Sequence, residues 1–576
     1  MGRDMFLQDV DRTATSLLEM LLNYEASQHI HVVSHRADAD GLAAEVVLGL
    51  GLRTIADALG SPCVVTSERA MEYGDVVHVP GRHYVYADLP TTPADCGGSI
   101  IDHHPSTAFP GALNPWNHGI DGESECSGGV SAAFVLRSIG KQLEIEGLQR
   151  SIDYLTIIGL AGGQADQQGP HGMNAALYKD LEIRRALQRI DFPLYGYHLN
   201  SAAHVLAESS IPLNCRFDVA SRSQGLRFLN SLGPIRDHNA AERFLHRFGL
   251  LFCADGKGNV GLNRQYWETL SESERTAAAD AVHTTTGSSW PPEDAMFADY
   301  WDDESFHDAR VTACAQRLRG WDVDPEAYMY SLKPKVRSGI IEEYRRNVQA
   351  FADPRVRDGA LAELAEEQYC IMHPNHQVVG HWSVAELANL MTALSKRGKG
   401  ELFLDACAYE LADRGRRDDI LYEQTKTRIR DEHRNHRTAV YEGMRHVESM
   451  VAGERFHRIN DDAIYIDLDN LQDCCPDLSV MTGIYAQLSF PHMPRRYGII
   501  STGCRIGDGR RKVSLRSRFP DDRPVDLGAF CQDLVASGVA YSGGGHKEAA
   551  SCRLPTAALP KFLEALESYA GGLHGC

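Results

Sequence analysis

"SIIDHHP", residues 99–105, runs from a short apolar stretch directly into an aspartate and two adjacent histidines. The isoleucines read as the end of a buried strand, with Asp102, His103 and His104 at its carboxyl end. The sequence around it repeats the arrangement. "HIHVVSH" (29–35) is a β-branched strand, and "GLAAEVVLGLGL" (41–52) has the small and apolar residues of a buried helix. "CVVTSE" (63–68) and "HYVYAD" (83–88) are further short strands, while "SGGVSAAFVLRSI" (127–139) and "SIDYLTIIGLAGG" (151–163) read as buried helices. Alternating short strands and helices predict an α/β fold with a largely parallel N-terminal sheet. In such sheets ligands bind beyond the carboxyl ends of the strands. Asp38, Asp88 and Asp102 all fall at or just after such ends, so the strands deliver acids to one rim.

Size and composition set the frame. The chain has 576 residues, enough for two to four domains, with 43% hydrophobic and 24% charged residues. No membrane span is expected, because no long apolar run occurs. The first twenty residues carry acids where a signal peptide needs a basic start, and a cytoplasmic location is expected. Fourteen scattered cysteines without a CxxC pair predict reduced thiols rather than a zinc or disulfide framework. A net charge of −20 argues against a surface that coats nucleic acid all over, but leaves room for a local basic groove.

Four segments supply oxygen and imidazole ligands: "SHRADADG" with His35, Asp38 and Asp40; "YADLP" with Asp88; the triplet with His103; and "GLAGGQAD" with Asp166. Two acids in DxD reach one site only where the strand has already turned into a loop, and Gly41 aids that turn. Carboxylate plus imidazole without thiolate suits Mn²⁺ or Mg²⁺. Two such ions can activate a water and clamp a phosphate, and isolated Asp88 is the natural bridging ligand. The chain has no P-loop, no HExxH and no dinucleotide fingerprint.

Near the C-terminus, "SGGGHKEAAS" (542–551) offers backbone N–H groups to an anion, with "HKEAAS" expected to open a helix whose N-terminus favours phosphate. A hairpin loop is the other reading of the same residues. Residues 501–518 hold six Arg or Lys and one Asp, which predicts a phosphate-backbone groove with Arg516 aimed into it. Residues 196–365 read as an acidic helical insert, with amphipathic helices at 271–282 and 338–351 around a turn-rich loop at 284–304. They divide an N-terminal domain (1–195) from a C-terminal α/β domain with a mixed sheet (366–576).

Taken in order, "SHRADADG", "YADLP", "IIDHHP" and "GLAGGQAD" resemble the four motifs of the DHH phosphoesterases. "SGGGHKEAAS" is similar to the GGGHxxAAG signature of the DHH-associated C-terminal domain, with Ser551 in place of its last glycine. "LNPWNHGIDGESECSGGVSAAF" (113–134) looks like the stretch after DHH in archaeal RecJ-like nucleases, whereas "MTALSK" stands where relatives carry a NACGR-like stretch. The resemblance implies a two-metal, single-strand-specific exonuclease on DNA or RNA. His35, Asp38 and Asp88 would hold one ion, and Asp40, Asp88, His103 and Asp166 the other. Asp102 and His104 would be catalytic, His104 facing the phosphate and the leaving oxygen. Arg516, Gly543, Gly544, Gly545 and His546 would contact substrate phosphates. It also implies a role in DNA replication or repair, with a GINS-like replication component as a partner of the insert. A replication scaffold with little catalysis and a phosphodiesterase of short oligonucleotides or cyclic dinucleotides are the competing readings.

Overall fold

Strand β1 (His29–His35) is buried along its whole centre, because both faces of its sheet are covered. The computed structural model describes residues 2–23, 28–145, 147–190 and, apart from a few short stretches, 368–572. Between 191 and 367 it describes 231–233, 238–254, 260–275 and 277–278. Helix α1 (Gly2–Leu22) precedes β1, and α2 (Ala39–Glu45) follows it, joined through a π-helical turn at Val46–Leu50 to α3 (Gly51–Leu59). Strands β2 (Val64–Ala70), β3 (His83–Ala87) and β4 (Ser99–Ile101) complete a four-stranded sheet of order β2-β1-β3-β4, parallel throughout as the sequence predicts.

Strand alternation sorts the two faces. Ile30, Val32, Val85, Ala87 and Ile101 pack toward α2, α4 (Gly128–Leu143) and α5 (Leu148–Ala165). Val33, Tyr84, Tyr86 and Ile100 form a second cluster beneath the loops, with Val76 and Leu89. Helix α6 (Asn174–Ile183) packs against α5. Helix α4 starts where Ser127 accepts a hydrogen bond from Val130 N, a cap of about 1 kcal/mol.

Contacts divide the chain into one unit of Met1–Gln188 with Cys370–Cys576 and a second of Arg189–Tyr369. In the second unit the described elements are helices His238–Gly249 and Arg264–Thr269 and a small antiparallel pair, Phe252–Ala254 with Val260–Leu262. The stretches 284–304 and 338–351, expected as loop and helix, lie outside the described residues.

Within the first unit the chain re-enters through α7 (Val384–Lys396), which packs on α5, then α8 (Gly400–Leu411) and the long α9 (Asp419–Ala452). A six-stranded mixed sheet follows. Its strands are β5 (His457–Arg458), β6 (Ala463–Asp467), β7 (Ile499–Arg505), β8 (Arg510–Ser517), β9 (Ser542–Gly545) and β10 (Ala549–Pro555), in the order β9-β10-β8-β7-β6-β5. Only β6 and β7 pair in parallel within it. Ile464, Ile466 and Ile500 pack on α9 and α10 (Leu478–Ser489). Tyr465, Ile499, Val513 and Leu515 pack on α11 (Leu527–Ala536) and α12 (Leu559–Gly572).

One expectation fails here. "HKEAAS" opens no helix: Gly545 pairs with Ala550 and Ser542 with Arg553, so the glycine run is an edge strand and residues 546–548 its turn. Ala550, Cys552 and Leu554 alternate into the core, and this period-two burial outweighs the helical tendency of Lys-Glu-Ala-Ala. Among the described residues no helix is long and apolar enough to cross a membrane. Eight cysteines whose side chains are described are free thiols, and seven of these are buried.

Candidate metal centre

Asp40 sits fully buried in the first turn of α2, where a lone carboxylate would be costly. The N-terminus of α4 holds it. Ser127 Oγ donates to Asp40 Oδ1 at 2.9 Å, Gly128 N to Oδ2 at 2.7 Å and Gly129 N to both oxygens at 3.1 and 3.2 Å. The helix dipole adds to these donors. Burial still pushes this carboxyl above its ordinary range, with His103 opposing.

The "DHH" triplet fixes its own rings. His103 Nδ1 donates to Gly122 O at 2.7 Å, which leaves the Nε2 lone pair facing inward. There it meets Asp88 Oδ1 at 3.1 Å, Asp166 Oδ2 at 3.6 Å and Asp40 Oδ2 at 3.8 Å. His103 Nε2 and Asp88 Oδ1 are buried, and neither makes a well-aligned hydrogen bond. Burial disfavours a charged His103 ring, yet the surrounding carboxylates hold it well above its usual range. Burial, then Asp40, push Asp88 well up, and burial, then Asp38 and Asp40, do the same to Asp166. Three buried carboxyls crowded around one imidazole nitrogen fit a divalent cation, which would take the place of the ring's proton and add further positive charge.

Asp102 plays a different part. Its Oδ1 accepts from His103 N at 2.7 Å and His104 Nδ1 at 2.8 Å, and its Oδ2 from Thr107 Oγ1 at 2.8 Å. Burial would raise this carboxyl, but His104 and these donors hold it down at about 2. Asp102 thereby fixes the His104 ring with Nε2 free.

Among the described residues three tight groups of ligand atoms emerge: Asp88, Asp102, His103 and His104; Asp40, His103 and Asp166; and His103, His104 and His546. His35 and Asp38 stand outside them, His35 Nδ1 lying 3.9 Å from Asp38 Oδ2. Asp38 caps α2 by accepting from Asp40 N, and Lys396 and His35 outweigh its partial desolvation and hold its carboxyl well below the ordinary range. Burial lowers His35 to about 4, a neutral imidazole suited to a ligand.

The basic run of 501–518 is split by strand alternation. Arg511 is buried and bound to Tyr465, Asp467 and Asp469, and Arg505 pairs with Asp469 at 3.0 Å. Lys512 and Arg516 lie on the opposite face of β8. Arg516 interacts electrostatically with Asp38, and Lys512 with His35 and Lys396. Burial, then Lys396, lower Lys512 to about 7, and burial lowers Arg516 to about 10. Lys396 Nζ reaches across to Ala37 O at 2.8 Å. The C-terminal sheet also meets the N-terminal lobe through Arg553 with Glu72 at 2.5 Å and His546 with Glu123 at 3.4 Å.

The three glycines are unequal. A Cβ on Gly544 would meet nothing within 4 Å, whereas one on Gly543 would lie 2.8 Å from Cys531 O. Gly545 has φ of 137° and a Cβ there would lie 2.5 Å from Ala549 O. Gly544→Val should therefore fold with a melting temperature close to the parent. Gly545→Val should cost several kcal/mol through backbone strain and collision; thermal melts of both variants check this.

Sequence reasoning missed Ser127, Gly128, Thr107, Glu123, Lys396 and Lys512. "SGG" before an apolar helix is an N-cap signal that marks the seat of Asp40. Glu123 and Lys396 meet the site across sequence separations that no local pattern encodes.

No family profile matches the chain, and none of the curated proteins does. Solved structures similar to it include RecJ from Thermus thermophilus in complex with Mn²⁺, at 16% identity and a TM-score of 0.47. That likeness covers 98% of this chain and 54% of the Thermus chain, so the chain spans about half the length of that relative. An exonuclease RecJ bound to manganese is similar at 16% identity and a TM-score of 0.45, covering 98% and 94% of the two chains. CDC45 from Entamoeba histolytica is similar at 10% identity and a TM-score of 0.45, covering 96% and 98%. Every one of these scores lies below 0.5, so the chemistry of the site has to come from its own residues.

Proposed function

We propose that this chain is a metal-dependent phosphodiesterase of the DHH family, acting as a RecJ-like exonuclease that releases mononucleotides from single-stranded DNA or RNA. The observation that carries this is the inward Nε2 of His103 among Asp40, Asp88 and Asp166, with His104 fixed by Asp102 beside it. Two Mn²⁺ or Mg²⁺ ions there would supply an activated water and a clamp on the phosphate oxygens. His35, Asp38 and Asp88 would hold one ion and Asp40, Asp88, His103 and Asp166 the other, with Asp88 common to both sets. His104, oriented by Asp102, would face the phosphate and assist departure of the leaving oxygen. Arg516, His546 and the backbone of Gly543, Gly544 and Gly545 take the phosphates. In this reading residues 1–195 form the metal lobe and 366–576 the substrate lobe. Residues 196–365 bind a replication or repair partner such as a GINS-like component, in the cytoplasm.

The test is a digestion time course on end-labelled single-stranded DNA and RNA with Mn²⁺, resolving product size. Chelation should abolish cleavage and Mn²⁺ restore it, with mononucleotides accumulating from the first time point. Full activity in demonstrably metal-free protein would refute the reading. Faster cleavage of dinucleotides than of long strands would make it a short-oligonucleotide enzyme, and metal binding without cleavage would make it a scaffold.

Arg516→Ala should weaken binding of long single strands by about 1.5–3 kcal/mol, alike across sequences, because phosphate contacts carry no base information. Fluorescence anisotropy over a salt series should show a shallower slope for the variant. Unchanged strand affinity together with weaker Mn²⁺ binding would place Arg516 in the metal site instead.

A further inference from the structure

His546 comes from the turn between β9 and β10, yet its ring lies against the "DHH" histidines of the other lobe. Ring centroids are 5.3 Å apart for His104 and His546, with planes 19° from parallel, and 5.6 Å apart for His103 and His546. His103 and His104 are 4.4 Å apart. One nitrogen from each of the three rings lies within 4.8 Å of the others. His103 Nε2 is a buried nitrogen without a hydrogen-bond partner on a side chain that is 1% exposed, and His546 turns its Nδ1 to Glu123 Oε1 at 3.4 Å. Asp102 binds Nδ1 of His104 and leaves its Nε2 open.

Three imidazoles converging in this way are unfavourable by themselves, since each ring brings a lone pair or a like charge to the same point. An ion resolves that. Imidazoles bound to one tetrahedral ion at about 2.0–2.1 Å carry ring centroids about 5 Å apart, as these do. We propose that His103, His104 and His546 form a second imidazole seat, exclusive of the carboxylate centre at His103, for a borderline divalent cation of the Zn²⁺ or Co²⁺ class, which ties the glycine-rich hairpin to the metal lobe when no substrate is bound. An all-nitrogen set favours such ions over Mg²⁺ or Mn²⁺, which prefer the carboxylates of Asp40, Asp88 and Asp166. Three protein nitrogens leave a fourth position open. Because His103 belongs to both ligand groups, the two seats compete for its Nε2. A substrate phosphate that takes His546 must draw it off the ion, so such cations hold the cleft closed.

The inference rests on the metal-centre reading, and its test separates the two. The full-length, metal-free protein is titrated with Co²⁺, read by its visible ligand-field absorption, and separately with Mn²⁺, read by the electron paramagnetic resonance of the free ion. The wild-type protein should take up Co²⁺ with the intense absorption of a four-coordinate nitrogen site, and Zn²⁺ or excess Mn²⁺ should diminish it. In His546→Ala that absorption should be lost and Co²⁺ affinity should fall at least tenfold, while Mn²⁺ affinity stays within twofold. His546→Gln, which keeps a polar group facing Glu123, should behave the same way and guards against a folding defect. Unchanged Co²⁺ absorption and affinity in both variants, with Mn²⁺ binding normal, would overturn this seat alone. Failure of the wild-type protein to bind either ion would overturn the metal centre itself.

Discussion

Asp88→Gly should stabilise the metal-free protein while removing its activity. Asp88 follows β3 with φ of 53°, a left-handed conformation that costs a non-glycine residue of order 1–3 kcal/mol. The residue is also 1% exposed, with Oδ1 lacking a hydrogen bond, and burial, then Asp40, push its carboxyl well up. Glycine relieves the backbone and deletes the stranded carboxyl. Against this stands the added freedom of glycine in the unfolded chain, about 0.5–1 kcal/mol. A net gain of about 1–2 kcal/mol is expected in denaturant melts under chelation. The same change removes the group proposed to serve both ions, so hydrolysis should fall by well over the about 100-fold that loss of an outer metal-site partner commands. Asp88→Asn keeps the shape and the strained backbone and should be equally inactive without the full stability gain. If Asp88→Gly proved less stable than its parent when metal-free, the strain argument would fail. If either variant kept activity within tenfold, Asp88 would not be a shared ligand. The strain and the stranded oxygen are what an active site carries when its geometry serves a ligand rather than the fold.

Much of this architecture is legible without coordinates. Strands ending at residues 35, 87 and 101 are marked by β-branched and aromatic runs, and the parallel sheet places Asp88 and Asp102 at one rim. Asp102 is legible as part of the triplet, but its role in holding His104 depends on Thr107 and on side-chain direction, which motif spacing does not encode. The basic run near 510 is legible as charge, not as two faces: Arg511 turns to Asp467 and Asp469, and only alternate residues are left for the cleft. "HKEAAS" misleads because its composition suits a helix, while its first half is the hairpin turn and pairing with β9 and β8 makes its second half a strand. His35, expected as a ligand, lies beside Asp38, outside the tight groups.

Gly162→Ala is expected to damage both fold and metal binding out of proportion to one methyl group. Helices α2, α4 and α5 cross with no room between their backbones. A Cβ on Gly162 would lie 2.5 Å from Asp40 Oδ1, 2.6 Å from Ala43 Cβ and 3.2 Å from Asp40 Cα. A Cβ on Gly129 would lie 2.8 Å from Asp40 Oδ1, one on Gly159 2.6 Å from Gly129 O, and one on Gly128 2.8 Å from Asp88 Cβ. These glycines bring the N-terminal N–H groups of α4 onto the Asp40 carboxylate. A methyl at 162 must therefore displace either α5, which ends at Asp166, or Asp40 itself. Overpacking of this kind costs about 1–3 kcal/mol. A shift that loosens the hydrogen bonds from Gly128 and Gly129 leaves a buried carboxylate under-satisfied, which adds a cost of similar size. Mn²⁺ affinity should drop with stability, because the two acids that move are both proposed ligands. Gly140→Ala, on the same pair of helices, would meet only the tip of the Ile152 side chain, which can rotate away, and should lose less stability and no metal affinity. Calorimetric Mn²⁺ titration beside thermal melts separates the outcomes. Equal stability losses with Mn²⁺ affinity unchanged in both variants would mean that the small-residue crossing serves packing alone and does not set the position of Asp40.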